Sequence, residues 1–239
     1  MFATIVAILS LNSCEKEKID TGTINVKFNN VVGQNLESLG LNNNRVYNHP
    51  SNYKISFTEF KYIISQIELF HANGDTVKLL ERPFLVDVNR SETLNISNIT
   101  NVKSGLIKGV RIVFGLRNNE TPSREKQSYI EEMLQGGKYL NFRAAGKFDV
   151  DENNNGGNEF KVIKGKTSNR NNTVIKDFYQ DVILTNRISL EFKIDVNEFF
   201  TNPHEINIKE FDRGIVDTEE IQEKIAENIF NAISIIIVE

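Results

Sequence analysis

One stretch of this 239-residue chain has the spacing of a cation site: Asp151, Asn153 and Asn155, followed by Gly156. Oxygen ligands at alternate residues converge on a hard cation when a glycine permits the sharp turn between them. These residues match the first, third, fifth and sixth positions of a calcium loop. Glu159 falls at the ninth position, where a ligand often acts through water. Val162 stands where the loop needs a bidentate glutamate, however, and the flanks read as strands instead of helices. A solvated hairpin turn is the simpler expectation, and calcium is the cation a loop of this spacing would take.

The second chemical candidate is the sole cysteine, Cys14. With one thiol, neither an intrachain disulfide nor a multi-cysteine zinc site can form. The preceding residues, Phe2 to Leu11, are an apolar run of signal-peptide length, about half of what a bilayer span requires. Leu11, Asn12, Ser13 and Cys14 then read as a lipobox, at which a bacterial lipoprotein is cut just before the cysteine. Its thiol receives diacylglycerol and its new amino group an acyl chain. Each buried methylene contributes about 0.8 kcal/mol, and two chains exceed what stable attachment needs. The expected organisation is a signal peptide over 1–13, a charged, lipidated tether over 14–21 and one domain over 22–239. No Lys or Arg precedes the apolar run, which departs from the usual n-region.

Other chemistry is sparse. The histidines, His49, His71 and His204, are far apart with no pairing at helical spacing, and the loop positions beside Pro50 and Pro203 predict surface residues. No glycine-rich phosphate loop follows a strand, no nucleophile elbow occurs, and no carboxylate pair stands out for acid–base work. An enzyme is therefore not expected. A net charge of −4 and a pI near 5.6 supply no basic field for nucleic acid.

The elements that must position these residues are mostly strands. Tyr53, Ile55 and Phe57 alternate with polar neighbours, Thr58-Glu59 interrupt the period, and Ile63, Ile67 and Leu69 resume it before Asn73-Gly74. Asn-Gly between apolar runs is a strong hairpin signal, because both central residues of a type I′ turn need φ > 0. Val77, Leu79 and Phe84 to Val86 form the returning arm. Further alternation at Ile24–Phe28, Val110–Leu116, Leu140–Phe148 and Ile188–Val196 predicts strands with one buried face. Ile206 and Ile208 suggest an edge strand, and Ile235 to Val238 a buried closing segment. Thr121-Pro122 and a terminating Gly136 predict a helix, as do Ile221, Ile225 and Ile229 at four-residue spacing after Asp217 and Glu220. The fold class expected is all-β, a two-sheet β-sandwich with Greek-key-like connections and two short peripheral helices.

The stretch Phe57-Thr58-Glu59-Phe60-Lys61-Tyr62-Ile63-Ile64-Ser65-Gln66-Ile67-Glu68-Leu69 resembles the MbnP-like domain, a secreted β-sandwich module of bacterial lipoproteins. Asn73-Gly74, Phe114-Gly115 and Lys138-Tyr139 leading to Gly146 are similar to family landmarks in the same order, over roughly residues 22–200. The resemblance implies a sandwich in the outer membrane, on its periplasmic or cell-surface side, tied to the membrane by lipid. It also implies a binding role beside an uptake or envelope complex, such as one built on a TonB-dependent receptor. Copper-binding members use an oxidised tryptophan with histidines. This chain has no Trp, Met133, Leu134 and Gln135 occupy that region, and Phe160 to Gly165 lacks the later His-x-Gly element. Fold and location carry over, but no copper ligand does, and no cofactor is expected. The alternatives are a lipoprotein that binds calcium or copper, with Asp151, Asn153, Asn155 and Glu159 as the candidate ligands, and, behind it, a surface glycan hydrolase.

Overall fold

The computed structural model describes residues 20–33, 35–41, 45–116, 127–136, 138–165, 173–211 and 214–239. Its strands are β1 (Thr21–Val32), β2 (Glu37–Ser38), β3 (Tyr47–His49), β4 (Tyr53–His71), β5 (Thr76–Lys78), β6 (Phe84–Asp87), β7 (Asn95–Lys103) and β8 (Gly105–Phe114). There follow β9 (Leu134–Gln135), β10 (Lys138–Val150), β11 (Gly156–Gly165), β12 (Val174–Leu184), β13 (Arg187–Asp195), β14 (Ile215–Val216) and β15 (Ile233–Val238). Among the described residues one α-helix, α1 (Glu219–Ala232), precedes β15.

These strands form two mixed sheets over a shared core, the expected sandwich. One sheet runs β15-β13-β1-β2, with β7 also on β1; the other runs β12-β8-β4-β10-β11-β14, with β3, β5 and β6 also on β4. The alternation read in the sequence is what closes them. On β1, Ile24, Val26 and Phe28 are buried, and on β13 so are Ile188, Leu190, Phe192 and Ile194. The two strands run parallel, with Phe28 opposite Phe192 and their rings stacked at 6.0 Å. From the other sheet Phe60, Phe114 and Phe142 meet Phe199, which packs 5.1 Å from Phe142, and Tyr62 stacks on Phe114 at 4.9 Å. Edge-to-face and offset aromatic pairs of this kind add about 0.5–1.5 kcal/mol each beyond area burial.

The 19-residue β4 is the spine of the second sheet. Its break in period is a β-bulge: Phe57 pairs with Gly146 and Glu59 with Ala145, leaving Thr58 unpaired and exposed. Gly146 is required there, because a Cβ would collide with the Ser56 carbonyl oxygen and lie 2.9 Å from Phe57 Cα. Beyond the bulge Ile63 faces outward into a second, smaller core with Leu85, Leu116, Ile130, Met133 and Leu140. Gly115 has φ +88°, and Asn141 fills the space beside it, accepting the Leu116 N–H on Oδ1 at 3.0 Å.

Several expectations change. The first six residues of the helix predicted over 121–135 fall outside the described residues; the described remainder forms turns and a 3-10 helix, Glu131–Met133, followed by β9. Ile130 and Met133 are drawn into the second core without a regular helix there, while Tyr129 and Leu134 stand exposed. The helix near the C-terminus forms, with Thr218 at its N-cap and no side-chain capping bond; the Asp217 and Glu220 box is not made. Instead Gln222 Nε2 donates to the Asp217 carbonyl at 2.6 Å. Ile206 and Ile208 are buried, but in a loop and the 3-10 turn Ile208–Glu210 instead of an edge strand. The closing segment is β15, an edge strand paired with β13, on which Ile236 and Val238 stand exposed because they point to the sheet face away from the core.

Candidate functional site

The described residues include an open pocket of about 570 Å³ lined by Asn48, His49, Pro50, Asn52, Tyr53, Lys54 and Asn197. The hairpin of β3 and β4 builds its floor. Asn52 takes φ +62° and its N–H closes the turn on the His49 carbonyl at 3.0 Å, a conformation asparagine tolerates. His49 and Tyr53 are cross-strand partners, and their rings stack at 4.2 Å with 11° between planes. Phe200 lies 5.6 Å from the imidazole and Phe148 lies 6.2 Å from the Tyr53 ring.

His49 is therefore buried, not the surface residue its place beside Pro50 suggested. Its Nδ1 accepts the Ser51 N–H at 3.1 Å, which assigns the ring proton to Nε2. No described protein atom accepts that proton. Burial depresses the imidazole to about 4, with Glu205 pulling weakly the other way, so the ring is neutral at neutral pH. Burial likewise raises the Tyr53 phenol, and the carboxylates of Asp149, Glu205 and Glu210 add to that. At the rim Ser51 Oγ bonds Glu205 at 2.9 Å, Lys54 pairs with Glu152, and Lys209 reaches Asp149 at 3.0 Å. Asp195, just below Asn197, has its carboxyl pushed up by burial. The pocket walls thus carry an ammonium and three amides, inside a ring of carboxylates, while the Nε2–H of His49 is buried beneath them.

The calcium-like residues lie in the neighbouring turn between β10 and β11. Asp151 Oδ1 accepts the backbone N–H groups of Asn153 and Asn155, both at 2.8 Å, and Oδ2 accepts Asn155 Nδ2 at 3.2 Å. Those bonds hold the carboxyl below its usual range. The turn brings Asp151, Asn153 and Asn155 together, while Glu159 stands on β11 opposite Lys147. Among the described residues no group of three or more His, Cys, Asp or Glu is arranged to hold a metal ion. Cys14 and the lipobox residues Leu11, Asn12 and Ser13 lie outside the described residues.

The other histidines do not join the pocket floor. His71 is also buried, at the far end of β4, and burial lowers its pKa; His204 Nε2 meets Glu227 at 2.6 Å. Two buried polar features escaped the sequence reading. Lys164 is fully buried, and burial alone brings its ammonium down to about 7; the alternation Phe160, Val162, Lys164 could have placed it on the inner face. On the outer face Lys61 contacts Glu132 at 2.7 Å, Asp87 at 3.2 Å and Glu59 at 3.5 Å, and Arg90 and Arg143 complete the network. Burial would lower Lys61, but the carboxylates of Glu132 and Asp87 outweigh it and hold the ammonium above its usual value. This network pins the Glu131–Met133 turn onto the sheet.

A family model named MbnP matches residues 21–218, both sheets included up to the start of α1. The chain belongs to the MbnP family. A solved structure, MbnP from Methylosinus trichosporium, is similar at 10% identity and a TM-score of 0.47, over 79% of this chain and 80% of that one. A search of curated proteins finds no match. Within this MbnP domain the landmarks Phe57 to Leu69, Phe114-Gly115 and Gly146 are the bulged spine, the Asn141 contact and the bulge's glycine partner.

Proposed function

We propose that this MbnP-family protein is a non-catalytic binding protein of the bacterial envelope. On this reading it is anchored by lipid at Cys14 in the outer membrane and serves an uptake or envelope complex, with a TonB-dependent receptor as one such partner. The observation that carries the reading is the placement of the two ends. The chain enters the sandwich at Thr21, where β1 pairs with Lys103, seven residues after a lipobox cysteine. The pocket opens where β1 and β13 finish, with the Val196 N–H on the Val31 carbonyl at 2.8 Å. Between the two ends runs β4, about 60 Å of strand contour at roughly 3.3 Å per residue. A molecule so built holds its amide-lined pocket away from the bilayer that retains it.

The neutral, stacked His49 is locked by Ser51 and Tyr53, a floor suited to recognition rather than proton transfer. The test is metabolic labelling in the native host: labelled palmitate enters the protein, and Cys14→Ser releases it from the envelope fraction. Absence of label, or a Cys14→Ser protein that still sediments with envelopes, sinks the proposal.

A further inference from the structure

The four most exposed large apolar side chains among the described residues are Tyr179 at 79%, Ile183 at 59%, Ile236 at 53% and Val238 at 52%. They occupy two edge strands, β12 and β15, that both run toward the end where the chain enters. That end is defined by backbone contacts. The Ser104 N–H reaches the Asp20 carbonyl at 2.9 Å, the Thr23 N–H reaches the Asn186 carbonyl at 2.7 Å, and Val238 pairs with Ser189. On β12, Val182 and Leu184 face the core and Ile183 faces out from one sheet. On β15, Ile233, Ile235 and Ile237 pack on the core, so Ile236 and Val238 face out from the other. The apolar residues therefore flank one end on both sides of the sandwich.

We infer that this end rests on the bilayer, with Ile183, Val238 and Ile236 entering the interface and Tyr179 standing at the headgroup level. The inference rests on the anchoring reading above. Asp20 lies six Cα steps after Cys14, so even a fully extended tether holds this end within about 22 Å of the lipid. An interfacial element sinks about 5–10 Å into the headgroup boundary; Ile236 is two residues, about 7 Å, above Val238 along its strand. Tyr179 lies farther from the tip, where an amphipathic ring suits the interface. Some of the charges nearby are paired: Lys108 Nζ meets Asp181 at 2.7 Å, and Lys103 Nζ meets Asp75 at 3.0 Å; Asp20, Arg187 and Glu239 stand exposed at the same end. A second copy of the chain adding to one edge would cover one apolar pair and leave the other in water. A surface meeting the end covers both.

The experiment uses two properties of the sequence, its single cysteine and its lack of tryptophan. The mature chain from Cys14 is coupled through that thiol to a maleimide lipid in phosphatidylcholine vesicles with brominated acyl chains. Single-tryptophan variants Ile183→Trp, Val238→Trp and Asn153→Trp are compared, the last marking the pocket end. The first two are expected to shift to shorter wavelength and be quenched by bromine, while Asn153→Trp keeps its emission. Adding Ile183→Asn to the Val238→Trp protein should weaken vesicle partition of the uncoupled chain roughly tenfold. Emission from Ile183→Trp and Val238→Trp that stays as unquenched as that of Asn153→Trp overturns the inference. So does a shift that appears without lipid and grows with protein concentration, the mark of a second copy. Because coupling replaces native acylation, these results stand apart from the labelling test: an unacylated Cys14 removes the proposed function, whereas unquenched tryptophans remove only this orientation.

Discussion

Lowering the pH should unlock the pocket floor before it affects the rest of the sandwich. In the unfolded chain His49 takes up a proton near 6.5, and in the folded protein only near 4, so between those values the unfolded state binds the extra proton. A group whose folded pKa is depressed contributes stability that is present above its unfolded value and lost as pH falls toward its folded one. The gap corresponds to roughly 3 kcal/mol at about 1.36 kcal/mol per unit, and solvent reaching the open pocket trims it to about 2 kcal/mol. The comparison is with His49→Phe, whose ring can still stack between Tyr53 and Phe200 but cannot titrate. Urea unfolding followed by circular dichroism from pH 7.5 to 4.5 should show wild type losing about 2 kcal/mol more than the variant. His71, and the carboxyls of Glu132 and Asp177 held below their usual range, titrate in both proteins and cancel in the difference. Parallel pH profiles for the two proteins would refute the assignment of a buried, neutral imidazole.

Three further outcomes follow from the packing. Gly146→Ala should destabilise by about 3 kcal/mol, the upper end for overpacking, because the atoms in the way are backbone of the bulged strand; a loss below about 1 kcal/mol in urea midpoints would contradict that. Tyr62→Phe leaves the buried Asn30 Oδ1 without the phenol that donates to it at 3.1 Å, and should cost about 1–3 kcal/mol by the same measurement. Lys164, brought down to about 7 by burial against 10.5 in the unfolded chain, has its stability contribution present above 10.5 and lost as pH falls to 7. Wild type should therefore gain stability relative to Lys164→Met between pH 7 and 10, and thermal melts that rise no faster for wild type would count against it.

Most of the sandwich was legible because strands with one buried face write their pattern at period two. Ile188 to Val196 and Ile24 to Phe28 are buried where alternation put them. Even the break at Thr58-Glu59 was visible as a lost beat, although only the pairing of Phe57 with Gly146 shows it to be a bulge. Short elements failed for the opposite reason. Ile206 and Ile208 are apolar at strand spacing, yet a 3-10 turn buries them just as well, and nothing local distinguishes the two. The pocket was hidden because its parts come from residues 48–54 and 197, and because a histidine beside proline gives no hint that Tyr53 and Phe200 will enclose it. The Asp151 turn was read from its oxygens; that two of its backbone N–H groups would take up the carboxylate follows from the turn's own geometry.

The account depends most on what Cys14 carries. Intact-mass analysis of the protein extracted from native outer membranes should find a chain beginning at Cys14, heavier by a diacylglyceryl group and one amide-linked acyl chain. A chain recovered with Met1 and residues 2–13 still attached and a free thiol at Cys14 would contradict it.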